Sequence, residues 1–535
     1  MRRRRPLLAL LAVSGVLLAA CGSGDSALRA GEDGATTLPL ATDEVSTGSD
    51  TTAEDAPSPD SVATDDGGTG TESSEPDGTD PAATEPPGPT TTAAALAQYP
   101  DCPVGALDAV GQPVEITFWH GMANEAEAAL GALTDEYNES QDRVRVELQN
   151  QVSYESTIDK YVQVGSRTRP DLVQLPEFSL QSFAQSDTFV PVQACIEAAE
   201  FDTSPYLQRG IDAYVFEGIQ WAMPFNISSP ILYYNRQMFE AAGLDPDRSP
   251  ITLEELRAAS EVLVESEAAG FGLVLDSGRD SGGSWYLEQW FGRVGAPYSD
   301  NGNGRLAPST QVLFDSEVGV ELMTFLQELI ADGLAVNVGD NPGGQDAVLK
   351  MIDPEAPGAM TVGTSAALGS VVAALGSGIA EGITMDDIGV GPMPGPSETP
   401  SAQVGGAALW IPADKGELEA AAAWDFITYL TTAESQSRWA AATGFVPVRE
   451  DAAEVEPLAT TYADDPRFAV AYAQLLPGAD DVTANAPVLG PQRVVRAESA
   501  RATAAIFDGA DVAAELATAA ERSDGHIASY NARVD

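Results

Sequence analysis

Proton transfer and nucleophilic attack at neutral pH rest on a few residue types, and this chain is poor in them. Its 535 residues hold two histidines, His120 and His526, and three cysteines, Cys21, Cys102 and Cys195. No Gly-x-Ser-x-Gly elbow, no P-loop and no His-Glu-x-x-His pair occurs. Imidazoles and thiols this few and this scattered give no zinc-ligand spacing, so neither a metal nor a cofactor is expected. Carboxylates are abundant instead: Asp and Glu number 81 against 27 Lys and Arg, for a net charge of −54. A glycoside hydrolase needs two carboxylates at a set separation, which abundance alone does not supply. A surface carbohydrate-active enzyme is therefore kept as a secondary alternative to a protein that is not an enzyme. So acidic a chain argues against nucleic-acid binding and against an electrostatic hold on anionic lipids. What the residues can do is hold a ligand. Carboxylates accept from vicinal hydroxyls, and guanidinium forks match phosphate.

Such groups need a scaffold, and the pattern of the chain supplies one. Val114–Trp119 alternates as a strand, Ala123–Tyr137 has helical spacing, and Val144–Leu148 and Asp171–Leu175 are further strands. Strands alternating with helices of ten to fifteen residues predict a largely parallel α/β lobe. A second set follows. Ser229–Tyr234 is rich in β-formers, Arg236–Ala242 is helical before Gly243, and Thr252-Leu253-Glu254-Glu255 has the spacing of a capping box. Phe314-Asp315-Ser316 opens another helix, Ile388–Gly391 and Ala407–Ile411 look like strands, and the chain is mainly helical after Glu417, with Gly444 as a stop. About 430 residues of this kind are too many for one core and suit two lobes.

The N-terminal part has other work. Arg2–Arg5 precede an apolar run from Pro6 to Ala20, shorter than the ~20 residues that span a bilayer. This is a secretory signal over residues 1–20, and Leu18-Ala19-Ala20-Cys21 at its end has the form of a bacterial lipobox. Cys21 is thus the expected lipidation site and membrane anchor. Residues 21–98 are rich in Thr, Ser, Pro and Gly, and between Gly22 and Ala97 sixteen acids face the single Arg29. A segment with so little apolar surface does not offset its chain entropy and is expected to be a disordered tether, reaching on the order of 50 Å. Cys102 and Cys195 are then the thiols available for a disulfide outside the cytoplasm, which their spacing neither requires nor forbids.

Several stretches, in order, resemble the solute-binding subunits of bacterial ABC importers, in particular the glycerol-3-phosphate-binding branch of the maltose-binding-like family. They are Phe118-Trp119-His120-Gly121-Met122, Pro224 to Asn235 continuing to Ala242-Gly243-Leu244-Asp245-Pro246, Gly405 to Trp410, and Thr443-Gly444-Phe445-Val446-Pro447. The resemblance implies an α/β fold of the type II periplasmic-binding-protein kind over residues 99–535, with a hinge and a ligand cleft between two lobes. Lobe 1 would comprise about 112–225 and 356–410, and lobe 2 about 226–355 and 411–535. It implies a monomer that hands a small polar ligand to ABC permease subunits, the ligand being glycerol 3-phosphate, a glycerophosphodiester or, alternatively, a mono- or oligosaccharide. Position by position, it makes Tyr154 a ligand contact and Glu177 the acceptor of glycerol hydroxyls. Ser228, Thr364 with Ser365 beside it, and Gly406 would line the site, and Arg496 would hold phosphate, with Arg493 as its competitor. Phe445 stands where the family has a tyrosine, and Trp285 either stacks on ligand or anchors a helix.

Overall fold

The computed structural model describes residues 96–534 apart from 280, 342–344, 379–381, 400 and 478–484. The signal segment, Cys21 and the tether up to residue 95 lie outside the described residues. Among the described residues no helix is long and apolar enough to cross a membrane.

The first sheet is built on β1 (Val114–His120), β2 (Val144–Asn150) and β3 (Leu172–Pro176), which pair in parallel in the order β2-β1-β3. In β1 the alternation Val114, Ile116, Phe118 is buried, as its spacing predicts. The crossovers are the helices Asn124–Ser140 and Tyr154–Gln163. Along the chain there follow β4 (Phe189–Val190), a hairpin of β5 (Val215–Phe216) and β6 (Ile219–Gln220), and β7 (Met223–Ser228). The second sheet comprises β8 (Pro230–Asn235), β9 (Phe271–Leu275), β10 (Ala335–Asn337), β11 (Gly358–Thr364) and β12 (Ile388–Pro392), in the order β10-β9-β11-β8-β12. The last strand, β13 (Gly405–Pro412), returns to the first sheet, antiparallel to both β3 and β7. Neither sheet is therefore largely parallel throughout. β13 re-enters from the other lobe and β8 continues straight on from β7, so both run against their neighbours.

Each sheet has its own core. Phe118, Tyr161, Phe189, Trp410, Phe426 and Trp439 fill the first, and Trp290, Phe291, Tyr298, Phe314, Leu326 and Ile506 the second. Full burial of side chains this size stabilises by roughly 1.5–3 kcal/mol each, so each lobe has the apolar content to fold around its own sheet. Two lobes result, but their boundaries differ from the expected ones. β11 and β12, expected in lobe 1, pair with β8 and β9 in the second sheet. The helices Glu417–Leu430 and Ala433–Thr443, expected in lobe 2, contribute Trp424, Phe426 and Trp439 to the first core. Hydrophobic periodicity identifies a buried strand or helix face, but not which of two similar sheets receives it.

Local signals are used as read. The Thr252 hydroxyl accepts from the Glu255 amide at 3.0 Å, and Gly444 ends its helix at φ +85°. Cys102 and Cys195 are joined, tying the segment before β1 to the helix Val192–Ala198. The lobes meet where β7 passes into β8 through Ser229 and where β12 passes to β13 over residues 393–404. The buried Gln474 side chain binds both crossings: its amide donates to Ser229 Oγ at 2.6 Å and to the Pro230 carbonyl, and its Oε1 accepts from the Met393 amide at 3.4 Å.

Candidate functional site

Strand ends and helix starts from both lobes converge on one cavity of about 80 Å³. From the first lobe come Tyr154, opening the helix after β2, Glu177 and Phe178 in the turn after β3, Ser228 at the end of β7, and Gly405 and Gly406 at the start of β13. Thr364 at the end of β11, Ser284 and Trp285 in the first turn of the helix Gly282–Arg293, and Arg496 on the helix Gln492–Phe507 come from the second. Phe445, just past Gly444, completes the wall and stacks on Trp439 with ring centroids 5.4 Å apart. Carboxyl ends of strands are where open α/β sheets present ligand-binding groups, because helix N-termini and loops face the same side.

The first-lobe wall is held from beneath. The Gly121 amide donates to Gln174 Oε1 at 3.0 Å, Gln174 Nε2 donates to Asn226 Oδ1 at 2.8 Å, and Asn226 Nδ2 donates to the Tyr154 hydroxyl at 2.6 Å. Gln174 and Asn226 are fully buried, so this relay fixes the phenol against the cavity. Gly406 sits at φ +99°, and a Cβ there would stand 2.1 Å from the Asn226 carbonyl oxygen. The position admits glycine alone, for conformational and steric reasons together. A Cβ on Gly405 would instead meet Ser228 Oγ at 3.5 Å and Trp285 at 3.6 Å, which shows how closely these three line the same space.

Charge is concentrated at Arg496. Its Nε donates to Glu288 Oε1 at 2.9 Å and its Nη2 to Glu288 Oε2 at 2.7 Å, a two-point fork within the second lobe. Nη2 also reaches across to Glu177 Oε1 at 3.2 Å, and the guanidinium lies 4.9 Å from the Phe178 ring centroid. The side chains of Arg496, Glu177 and Glu288 are 8%, 10% and 1% exposed, so the three charges interact with little screening. Burial raises the Glu177 carboxyl above its ordinary range, against the pull of the Arg496 charge. At the rim, Arg493 pairs with Glu155 and with Asp159 at 3.0 Å, and Arg279 lies 3.7 Å from Glu155. Arg496 rather than Arg493 therefore faces the cavity.

Eight of the nine expected ligand residues line this space: Tyr154, Glu177, Ser228, Trp285, Thr364, Gly406, Phe445 and Arg496. Ser365 does not. It is buried with its Oγ accepting from the Ser229 amide at 3.4 Å. Thr364 itself caps the following turn, its hydroxyl accepting from the Ala366 amide at 3.2 Å. His120 is buried, its Nδ1 accepts from the Met122 amide at 3.3 Å, and burial pushes its imidazole down to about 4, which suits a structural group. Sequence reasoning missed Glu288, Phe178, Gln174 and Asn226. The signal for Glu288 was a single acid inside the apolar stretch Tyr286-Leu287-Glu288-Gln289-Trp290-Phe291. Among the described residues no cluster of three or more His, Cys, Asp or Glu could hold a metal ion.

Residues 132–470 match the family model of the bacterial extracellular solute-binding proteins. The chain belongs to this family. A solute-binding protein of this family works outside the cytoplasm. The sn-glycerol-3-phosphate-binding periplasmic protein UgpB of Yersinia pestis is 26% identical to it over 371 residues, 68% of this chain and 80% of its own. The protein of the same name from Brucella melitensis is 28% identical over 365 residues, 66% of this chain and 78% of its own. Among solved structures, UgpB of Mycobacterium tuberculosis in complex with glycerophosphocholine superposes with a TM-score of 0.62 at 22% identity, covering 78% of this chain and 98% of that one. The cyclic α-maltosyl-1,6-maltose binding protein of Arthrobacter globiformis gives 0.61 at 21% identity, covering 77% and 98%. These likenesses establish the two-lobed fold; both relatives and structures are named for what they bind.

Proposed function

We propose that this solute-binding protein is the lipid-anchored capture subunit of an ABC importer, taking a glycerophosphodiester or glycerol 3-phosphate into the interlobe cavity and passing it to the permease. One observation carries the reading: a single cavity joins a guanidinium and two hydroxyls to a carboxylate and a tyrosine, drawn from both lobes. Arg496 and the hydroxyls of Thr364 and Ser228 would hold the phosphate group, since a fork and O–H donors match its oxygens. Glu177 and Tyr154 would take the glycerol hydroxyls. Trp285, Phe178 and Phe445 give apolar walls that a headgroup can lie against.

A second reading, a mono- or oligosaccharide receptor, is favoured by the pairing of Arg496 with two carboxylates, since planar polar groups beside aromatic faces also suit a neutral sugar. Calorimetric titration of the full-length chain with glycerol 3-phosphate, glycerophosphocholine and maltose distinguishes them. Saturable binding of a phosphate compound supports the proposal, whereas binding of maltose alone moves the ligand to carbohydrate. The anchor is tested separately: Cys21→Ala should release the chain from membranes and abolish its acylation by mass spectrometry, and retention of both would remove Cys21 as the anchor.

A further inference from the structure

Resting on that reading, we infer that Glu288 sets the charge of the cavity, so that it favours a ligand with no net charge and accepts a dianion only together with a proton. The fork of Arg496 is engaged from its own lobe by both oxygens of Glu288 and from the opposite lobe by Glu177. One cation between two carboxylates is short of positive charge before any ligand arrives. The surroundings do not make up the deficit. On the first lobe the titratable groups beside Glu177 are Tyr154, Tyr214 and Glu155. On the second, the phenol of Tyr298 faces Glu288 and Arg496, and Arg279 and Arg493 are engaged by Glu155 and Asp159 at the rim. Among the described residues no further cation lines the cavity.

A phosphodiester linked to a quaternary ammonium brings one negative and one positive charge and leaves this balance unchanged. A phosphomonoester, whose second pKa is about 6, arrives at neutral pH as a dianion. It adds two negative charges to a buried site where the existing carboxylates cannot move away. A proton taken up with it, on the phosphate or on the carboxylate pair, relieves the repulsion. Glu177 and Glu288 share one buried guanidinium, so the pair has a place to put one. Glu288 makes no lining contact, which is why its influence on ligand choice runs through Arg496.

The test is calorimetric titration of the full-length chain with glycerol 3-phosphate and with glycerophosphocholine, at pH 7.5, in two buffers of different ionisation enthalpy. Wild type should take up close to one proton per glycerol 3-phosphate bound and almost none per glycerophosphocholine. Glu288→Gln keeps the shape and removes one buried charge, so it should improve the affinity for the monoester relative to the diester by about tenfold or more and lower the proton uptake. An unchanged ratio in a variant with native circular dichroism would overturn the inference. If Glu288→Gln does not fold, the wild-type proton count still decides, and glycerol 3-phosphate bound without a proton sinks the idea. Binding of maltose but of neither phosphate compound would bring down the phosphate reading, and this inference with it.

Discussion

Replacing Arg496 by methionine removes a cation from between two carboxylates while keeping most of the side-chain volume against Phe178. The cost follows from burial. Glu288 is 1% exposed and Glu177 10%, so neither regains water when its partner goes. With charge centres roughly 4 Å apart and an effective dielectric of ~20, the lost attraction to Glu288 is about 4 kcal/mol. Breaking a buried pair by removing one member costs about 3–5 kcal/mol by comparison with measured cases. That is a large share of the 5–15 kcal/mol typical of a domain. Adding Glu288→Gln removes the stranded charge. The double variant should therefore recover much of the loss and end about 1–2 kcal/mol below wild type, the scale of the missing hydrogen bonds. Urea unfolding followed by tryptophan fluorescence and by circular dichroism measures both variants, and two probes are needed because two lobes can unfold separately. A single variant less than about 1 kcal/mol below wild type would refute the reasoning, as would a double variant no better than the single. The outcome matters for function, because loss of ligand in an Arg496 single variant has two causes that only the double variant separates.

Gly406→Ala should cost at least about 1–3 kcal/mol in urea unfolding, from positive φ and the contact with the Asn226 carbonyl, whereas Gly405→Ala should fold normally and lose ligand in titration; equal stability of the two would contradict the glycine assignment. Replacing Cys102 and Cys195 together by serine opens a loop with a sequence separation of 93, for which chain entropy gives a loss of about 4–5 kcal/mol, read as a lower guanidinium midpoint; a loss under about 1 kcal/mol would mean the loop is already constrained when unfolded. Burial raises the Glu177 carboxyl above its ordinary value of 4.5, so between that value and the folded one the native state holds a proton that the unfolded chain has released. Stability from this group therefore falls as pH rises through that window. Glu177→Gln should flatten the decline in urea midpoints measured from pH 4.5 upward, and an unchanged slope would assign it to other groups.

Much of the scaffold is legible in local pattern because local pattern is what physically fixes it. The alternation Val114, Ile116, Phe118 produces β1, the Thr252 hydroxyl starts a helix, and Gly444 ends one. The assignment of β11, β12 and the two helices between Glu417 and Thr443 to a lobe was not legible, because pairing partners lie far away in sequence and both sheets offer apolar faces. The same distance hides Glu288, whose partner Arg496 is 208 residues on. Ser365 fails as a ligand residue for a simpler reason. β11 ends at Thr364, and Ser365 already belongs to the turn Ser365–Ala367, where its hydroxyl is taken by the Ser229 amide. Gln174 and Asn226 support the wall from beneath, and no residue type announces that role in advance.

The charge pairs across the cleft bear on how such a receptor signals that it is loaded. Arg279, Arg493 and Arg496 from the second lobe meet Glu155, Asp159 and Glu177 from the first. The side chains of Arg279 and Arg493 are 36% and 34% exposed, and pairs so close to solvent contribute only about 0.2–1 kcal/mol each. Their sum is comparable to the free energy that separates conformers populated side by side. Stronger interlobe contacts would close the cleft without ligand and make the closed form uninformative to a permease. A ligand that reaches both walls, touching Glu177 and Tyr154 on one side and Thr364 and Trp285 on the other, adds contacts that exist only when the lobes are together. It is this differential contact, rather than the ion pairs, that can shift the balance. In a chain with 27 basic residues against 81 acids, three arginines at one cleft are a concentrated investment of positive charge. Two hold the rim weakly, and the third, fixed by Glu288, lines the cavity.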